Sequence, residues 1–164
     1  MIKGGGDCFR ESLRIVSRRQ YSVLEVREKL LKKGFGEGPV EESVSKLEDY
    51  GYLDDRELAK SLVYSKFHSA GYGRRKIRQY LRRRKIPENI IDSELEESVS
   101  RREAIERGVA LLGRKQQRAE KKLLSEKGRV LRFLAGRGFE LGECIDIISE
   151  YEKTKRKEND GEGS

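Results

Sequence analysis

Tyr21-Ser-Val-Leu-Glu-Val-Arg-Glu-Lys-Leu-Leu-Lys-Lys-Gly-Phe35, Tyr72-Gly-Arg-Arg-Lys-Ile-Arg-Gln-Tyr-Leu-Arg-Arg-Arg-Lys-Ile86 and Ser125-Glu-Lys-Gly-Arg-Val-Leu-Arg-Phe-Leu-Ala-Gly-Arg-Gly-Phe139 lie over one another without a gap. An apolar pair at i, i+4 recurs in each: Val26/Leu30, Ile77/Leu81 and Val130/Leu134. Five residues after each Leu stands Phe35, Ile86 or Phe139. Further on come Val40, Ile91 and Cys144, then Val44, Leu95 and Ile148. The offset is 51 residues from Leu30 to Leu81 and 53 from Leu81 to Leu134. Apolar columns kept in register at a fixed spacing are the mark of a helical repeat.

Working outward, each unit holds three helices. They are expected near Phe9–Arg18, Ser22–Lys33 and Pro39–Asp49, then Asp55–Ser69, Gly73–Arg84 and Pro87–Glu97, then Arg101–Arg118, Glu126–Arg137 and Gly142–Glu152. Ser22-x-x-Glu25, Asp54-x-x-Glu57 and Ser100-x-x-Glu103 read as capping boxes, in which side chains satisfy the free amides of a helix start. Gly34, Gly51 and Gly138 suit helix stops, and Pro39 and Pro87 suit first turns. The fold class is therefore all-α, an elongated right- or left-curved solenoid of three tandem three-helix repeats. The expected boundaries are 1–52, 53–99 and 100–153, with a disordered polar tail over 154–164. Stacking gives each thin unit a second surface on which to bury its apolar stripe.

Composition agrees with thin seams between helices. Of 164 residues 40% are charged and 35% hydrophobic, with no Trp and two Pro. That is too little apolar material for one thick core, but enough to line amphipathic helices. Cys8 and Cys144 stand apart without metal-ligand neighbours, as in a reduced cytosolic protein. Met1 to Asp7 lacks the apolar run of a signal peptide, and no run approaches the roughly 20 apolar residues of a membrane span. No phosphate loop, dinucleotide glycine motif, nucleophile elbow or zinc pattern occurs. Catalytic residues, cofactor and metal are accordingly expected to be none. Asp54 and Asp55 could hold Mg²⁺, but a helix start already explains them.

The charge balance is 37 Lys+Arg against 29 Asp+Glu, a formal +8. A basic excess favours polyanions. It concentrates in the middle unit, where Arg74, Arg75, Lys76, Arg78, Arg82, Arg83, Arg84 and Lys85 occur without an acid among them. At 100° per residue Ile77, Tyr80, Leu81 and Arg84 share one side, and Arg75, Gln79 and Arg82 lie opposite, flanked by Arg78 and Arg83. The basic face is thus expected in solvent, with the Arg84 stem along the core edge. Solvated faces usually mix signs, because like charges one turn apart repel. Arg74, Arg75, Lys76, Arg78, Arg82, Arg83 and Lys85 are therefore the candidate contacts for an anionic partner. Gly73 would also let a phosphate approach the helix start. A second region, with Arg114, Lys115, Arg118, Lys121, Lys122, Lys127, Arg129 and Arg132, is interrupted by Glu120 and Glu126 and reads as a solvated face at least as readily as a binding one. Tyr64, His68 and Tyr72 invite base stacking, whereas Phe67 falls on a core stripe.

Gly51-Tyr-Leu-Asp-Asp-Arg-Glu-Leu-Ala59, followed by Gly71-Tyr-Gly-Arg-Arg-Lys-Ile-Arg-Gln-Tyr-Leu-Arg-Arg-Arg-Lys-Ile86, resembles the most characteristic stretch of the RecX regulatory proteins. The Ser17-Arg-Arg-Gln-Tyr-Ser22 stretch and Gly138-Phe139 resemble the flanking repeats, so the likeness covers most of residues 9–152. Leu58 stands where the family usually has an aromatic residue, and Arg74 where a proline is frequent. The resemblance implies a non-enzymatic, bacterial cytoplasmic monomer that binds the RecA recombinase and its nucleoprotein filament. It would modulate, and mostly inhibit, recombinase activity in homologous recombination, DNA repair and the SOS response. It would meet DNA, single-stranded and in some settings duplex, through its basic face, and no membrane. Two other readings of the residues stay open: direct, non-sequence-specific nucleic-acid binding, and a helical scaffold docking an acidic protein.

Overall fold

The computed structural model describes residues 5–117 and 127–161. Every regular element among them is helical: α1 (Gly5–Val16), α2 (Val23–Lys32), α3 (Glu37–Asp49), α4 (Asp55–Tyr64) running into a π-helical turn (Ser65–Ser69), α5 (Arg74–Arg83), α6 (Glu88–Ser98), α7 (Arg101–Gln117), α8 (Lys127–Gly136) and α9 (Leu141–Gly161). The chain is all-α and built of tandem three-helix units, as its apolar columns predict. Arg118, Glu120, Lys121, Lys122 and Glu126 lie outside the described residues, as do positions 162–164 of the expected tail.

The chain packs as two compact units, residues 1–62 with 80–94 and residues 63–79 with 95–164. In the first, α1 packs on α2 and α3 around Cys8, Ile15, Val26, Leu30, Val40, Val44 and Leu47, with Phe9, Leu13 and Tyr21 at the margin. Leu81, Ile86 and Ile91 of the same unit are also buried. In the second, α7 and α8 pack on α9, burying Leu112, Val130, Leu134, Phe139, Cys144 and Ile147.

Local chemistry sets the helix ends. Ser22 and Glu25 form a reciprocal capping box at α2. Ser100 and Glu103 do the same at α7: the Glu103 amide donates to Ser100 Oγ at 3.2 Å, and the Ser100 amide to the Glu103 carboxylate at 3.0 Å. At α4, Asp54 Oδ1 accepts from the Arg56 and Glu57 amides. The second helix of each of the three repeats stops in the same way, through an amide donated back five residues: Phe35 to Leu30, Ile86 to Leu81 and Phe139 to Leu134. The residue before it is left-handed each time, at Gly34 (φ 86°), Lys85 (φ 57°) and Gly138 (φ 90°).

Three expectations need correction. The helix read over Asp55–Ser69 widens after Tyr64 into a π turn, closed by the Ala70 amide donating to Ser65 O at 3.3 Å. Ile147 rather than Ile148 enters the core, because α7 approaches α9 at Gly108, where a Cβ would stand 2.3 Å from Ile147 Cδ1. The tail expected to be disordered from residue 154 continues α9 to Gly161. Straight-chain residues favour that outcome. Lys153–Glu150 and Lys155–Glu158 ion pairs one turn apart add to it.

Within the second compact unit the carbonyl end of α8 seats on the amide end of α5. The Gly73 amide donates to Arg137 O at 2.8 Å and the Arg75 amide to Gly138 O at 3.1 Å. This approach needs two residues without side chains. A Cβ on Gly73 would lie 2.5 Å from the Gly138 carbonyl, and one on Gly138 would lie 2.4 Å from Lys76 Cβ. Gly34 has nearly the same φ, but a Cβ there meets nothing within 4 Å. Gly34→Ala is therefore expected to cost about 1 kcal/mol of backbone strain. Gly138→Ala is expected to cost that plus about 1–3 kcal/mol of overpacking. Urea denaturation midpoints of the two variants measure the difference, and equal losses would contradict the seating described.

Candidate nucleic-acid and partner interface

Helix α5 carries its cations without an acid to balance them, so like charges such as Arg74 and Arg78 sit one turn apart. Arg74 and Arg75 also face the positive end of the helix dipole. Partners from other segments offset this. The α8 carbonyls seat on the helix start. Arg74 Nη2 donates to Leu95 O at 2.8 Å, closing the last turn of α6. Lys76 Nζ donates to Gly136 O at 3.3 Å and lies 4.3 Å from the centre of the Tyr72 ring. Arg78 is half-buried and engaged. Arg82 grips Glu88 through Nε and Nη2, both at 2.8 Å, while remaining largely exposed.

The residues beyond the helix are bound more firmly. Arg84 Nε and Nη2 meet the two Glu25 oxygens at 3.0 and 3.2 Å, and Nη2 also donates to Gln20 O at 2.8 Å. The two side chains keep only 15% and 12% of their exposure, so the pair is largely enclosed. Lys85, in its left-handed conformation, pairs with Glu28. Of the seven candidate contacts, only Arg75 and Arg83 are exposed with no hydrogen-bond or ion-pair partner for the side chain among the described residues.

Exposure of Arg75, Gln79, Arg82 and Arg83 agrees with the helical wheel. Three readings change. The α5 start cannot cradle a phosphate as expected from Gly73, because the Gly73 and Arg75 amides are taken by main-chain carbonyls. Arg84 does more than lie along the core edge. Its fork-to-fork pair with Glu25 is hidden in the sequence, because Glu25 already has a role in the capping box. The one hint is an arginine on the apolar side of the wheel. Asp55 likewise does more than serve its own helix start: its Oδ1 accepts from the Val23 amide of α2 at 3.0 Å. Phe67 is buried, as its core stripe predicts, whereas the stacking candidate Tyr64 is 66% exposed and lies against His68 with ring centres 4.4 Å apart. Among the described residues no helix is long and apolar enough to cross a membrane.

Burial alone would raise the Glu25 carboxyl, but hydrogen bonds from Arg84, from the Ser22 amide and from Arg19 outweigh it, so its pKa falls below the ordinary carboxylate value. Asp55 moves the other way: burial raises it, and the Val23 amide only partly opposes.

Fold and site define a class: a helical-repeat protein with a basic, acid-free helix in its middle unit. The family models for the first and second three-helix domains of RecX match residues 8–47 and 54–95. Regulatory protein RecX of Thermus thermophilus is 35% identical over 142 residues, covering 87% of this chain and 90% of that protein. Regulatory protein RecX of Trichlorobacter lovleyi is 31% identical, covering 81% and 88%. The crystal structure of RecX from Lactobacillus salivarius shares the fold with a TM-score of 0.79 at 22% identity, covering 90% of this chain and 96% of that one. This chain belongs to the RecX family of regulatory proteins.

The opposite shifts of Glu25 and Asp55 fix the sign of an acid dependence. The Glu25 share of stability is present above the unfolded carboxylate pKa, about 4.3, and is lost as pH falls through its lower folded value. The Asp55 share is present below its unfolded value and lost as pH rises through its raised one. Glu25→Gln should destabilise the protein by about 2 kcal/mol near neutral pH, less than for a fully buried pair because both groups keep some solvent. Urea melts of wild type and variant should converge below pH about 4. A gap that stays constant into acid would mean that Glu25 contributes through packing rather than charge.

Proposed function

We propose that this chain is a non-enzymatic regulator that binds the RecA recombinase and its filament on single-stranded DNA and restrains recombinase activity in repair and recombination. Family membership supports the partner. The observation that carries the contact is the acid-free α5, which leaves the Arg75 and Arg83 guanidinium groups open while its remaining cations hold the fold. In this reading the repeats divide at 1–52, 53–99 and 100–153, and the protein acts as a monomer in the bacterial cytoplasm. The seven basic residues split in role. Arg75 and Arg83 meet phosphates or carboxylates of the filament directly. Arg74, Lys76, Arg78, Arg82 and Lys85 position the helix and add to its field.

A protein lying along a nucleoprotein filament has two means of restraint. It can bridge neighbouring protomers, and it can cover the path of a second DNA. Both need distributed, solvent-facing charge rather than a closed pocket. The second reading, direct nucleic-acid binding without a recombinase, is favoured by the same charge. Sequence-specific readout is not: the exposed side of α5 offers arginines and Gln79, without the varied donors and acceptors that read base edges.

In a strand-exchange assay with the cognate recombinase, the purified chain is expected to inhibit at or below one copy per recombinase protomer. Arg75→Glu with Arg83→Glu should weaken filament binding by about tenfold at moderate salt, as removal of open, solvent-facing charges does, with unchanged helicity. Inhibition absent with active proteins would remove the recombinase reading. Filament affinity unchanged in the double variant would remove the α5 contact while leaving the partner intact. Equal affinity for filament and bare DNA, both steeply salt-dependent, would favour the second reading.

A further inference from the structure

The second compact unit holds a group of cations whose neutralisation differs from that in the first. Laying the repeats over one another puts Arg137 in the place of Arg84, and Lys76 and Gln79 in the places of Glu25 and Glu28. In the first unit those two glutamates neutralise Arg84 and Lys85. In the second, Arg137 instead donates Nη1 to Ala70 O at 2.7 Å and lies 5.4 and 6.0 Å from the ring centres of Phe133 and Tyr72. Lys115 Nζ covers Phe133 at 4.0 Å, and Lys76 Nζ covers Tyr72 at 4.3 Å. Cations and rings thus alternate: Lys115, Phe133, Arg137, Tyr72, Lys76. Arg114, exposed on the neighbouring position of α7, lines the same cleft as Lys115, Phe133 and Arg137, and no acidic side chain lines it among the described residues.

Ring faces and main-chain carbonyls hold a cation in place without cancelling its charge. A carboxylate does cancel it. The cleft therefore keeps a positive field that the corresponding joint of the first unit lacks. Open arginine and lysine beside half-exposed rings is the chemistry that binds a phosphodiester backbone while offering a face to an unpaired base. A duplex keeps its bases stacked and would use only the charges. An acidic peptide would use no ring.

We infer that the cleft between α7, α8 and the turn before α5, lined by Arg114, Lys115, Phe133 and Arg137, binds single-stranded nucleic acid. It is a contact separate from Arg75 and Arg83 on α5. Only the choice of nucleic acid is shared with the proposed function, and an assay without recombinase keeps the two failures apart.

The test is fluorescence anisotropy of labelled oligo-dT with the full chain over a range of salt. Arg114→Ala with Lys115→Ala should weaken binding by about tenfold. It should also make the salt dependence shallower by about 1.4, or roughly 0.7 for each phosphate of a single strand that is no longer neutralised. The weakening should persist when Arg75 and Arg83 are already reversed. Because the chain has no Trp, Phe133→Trp places a sole tryptophan in the cleft. Its emission should be quenched as oligo-dT saturates. Unchanged oligo-dT affinity in the double alanine variant would overturn the proposal. So would an introduced tryptophan that stays unquenched at oligo-dT saturation in a folded protein, or one that duplex quenches as strongly as oligo-dT does.

Discussion

The structure turns on one recurring contact: the stop of a repeat's second helix meets the start of the second helix in the repeat before it. A three-helix unit of this size has a marginal core of its own. Its polar helix ends must also find partners, because a buried helix terminus without them leaves orphan amides and carbonyls. The chain meets both demands at the same place. In one joint the guanidinium of Arg84 forks onto Glu25 and reaches Gln20 O. In the other the Arg137 and Gly138 carbonyls accept the Gly73 and Arg75 amides, and Arg137 reaches Ala70 O.

The two joints use different forces for related positions, and side-chain volume explains the difference. Ser22 and Lys85 carry side chains, so the first joint is closed by long groups reaching across. Gly73 and Gly138 carry none, so the second closes backbone to backbone at hydrogen-bonding distance. The choice has an electrostatic consequence. An ionic joint consumes charge of both signs, whereas a main-chain joint consumes none and leaves nearby cations facing rings and solvent. The basic character of the middle and last units thus follows partly from how they are fastened.

A run of arginines takes on a different meaning in this light. Eight cations in the twelve residues from Arg74 to Lys85 suggest a single binding face, yet most of those side chains are fastening parts. Arg74 completes a turn of α6, Lys76 satisfies an α8 carbonyl, and Arg82, Arg84 and Lys85 pair with carboxylates. A cation that holds the fold still contributes its field, but it cannot move to follow a ligand. Reversing its charge would damage the protein before it tested binding. That separates Arg75 and Arg83 from their neighbours more sharply than composition can.

Sequence alone determined the helices, the apolar columns from Val26 to Phe139, two reciprocal capping boxes and the family. Each of these depends on neighbours a few residues away, where helical geometry maps spacing directly onto space. It also placed Arg75, Gln79, Arg82 and Arg83 on the exposed side of their helix, for the same reason. Tertiary structure decided which charges remain available. The partners that settle this are 59 residues apart for Arg84 and Glu25, and 67 for Arg137 and Ala70. It also moved Ile147 into the core in place of Ile148 and closed the Gly73 and Arg75 amides to any anion. Periodicity can show that a side chain leaves the helix on a given side, but what waits there is set by the packing of distant segments.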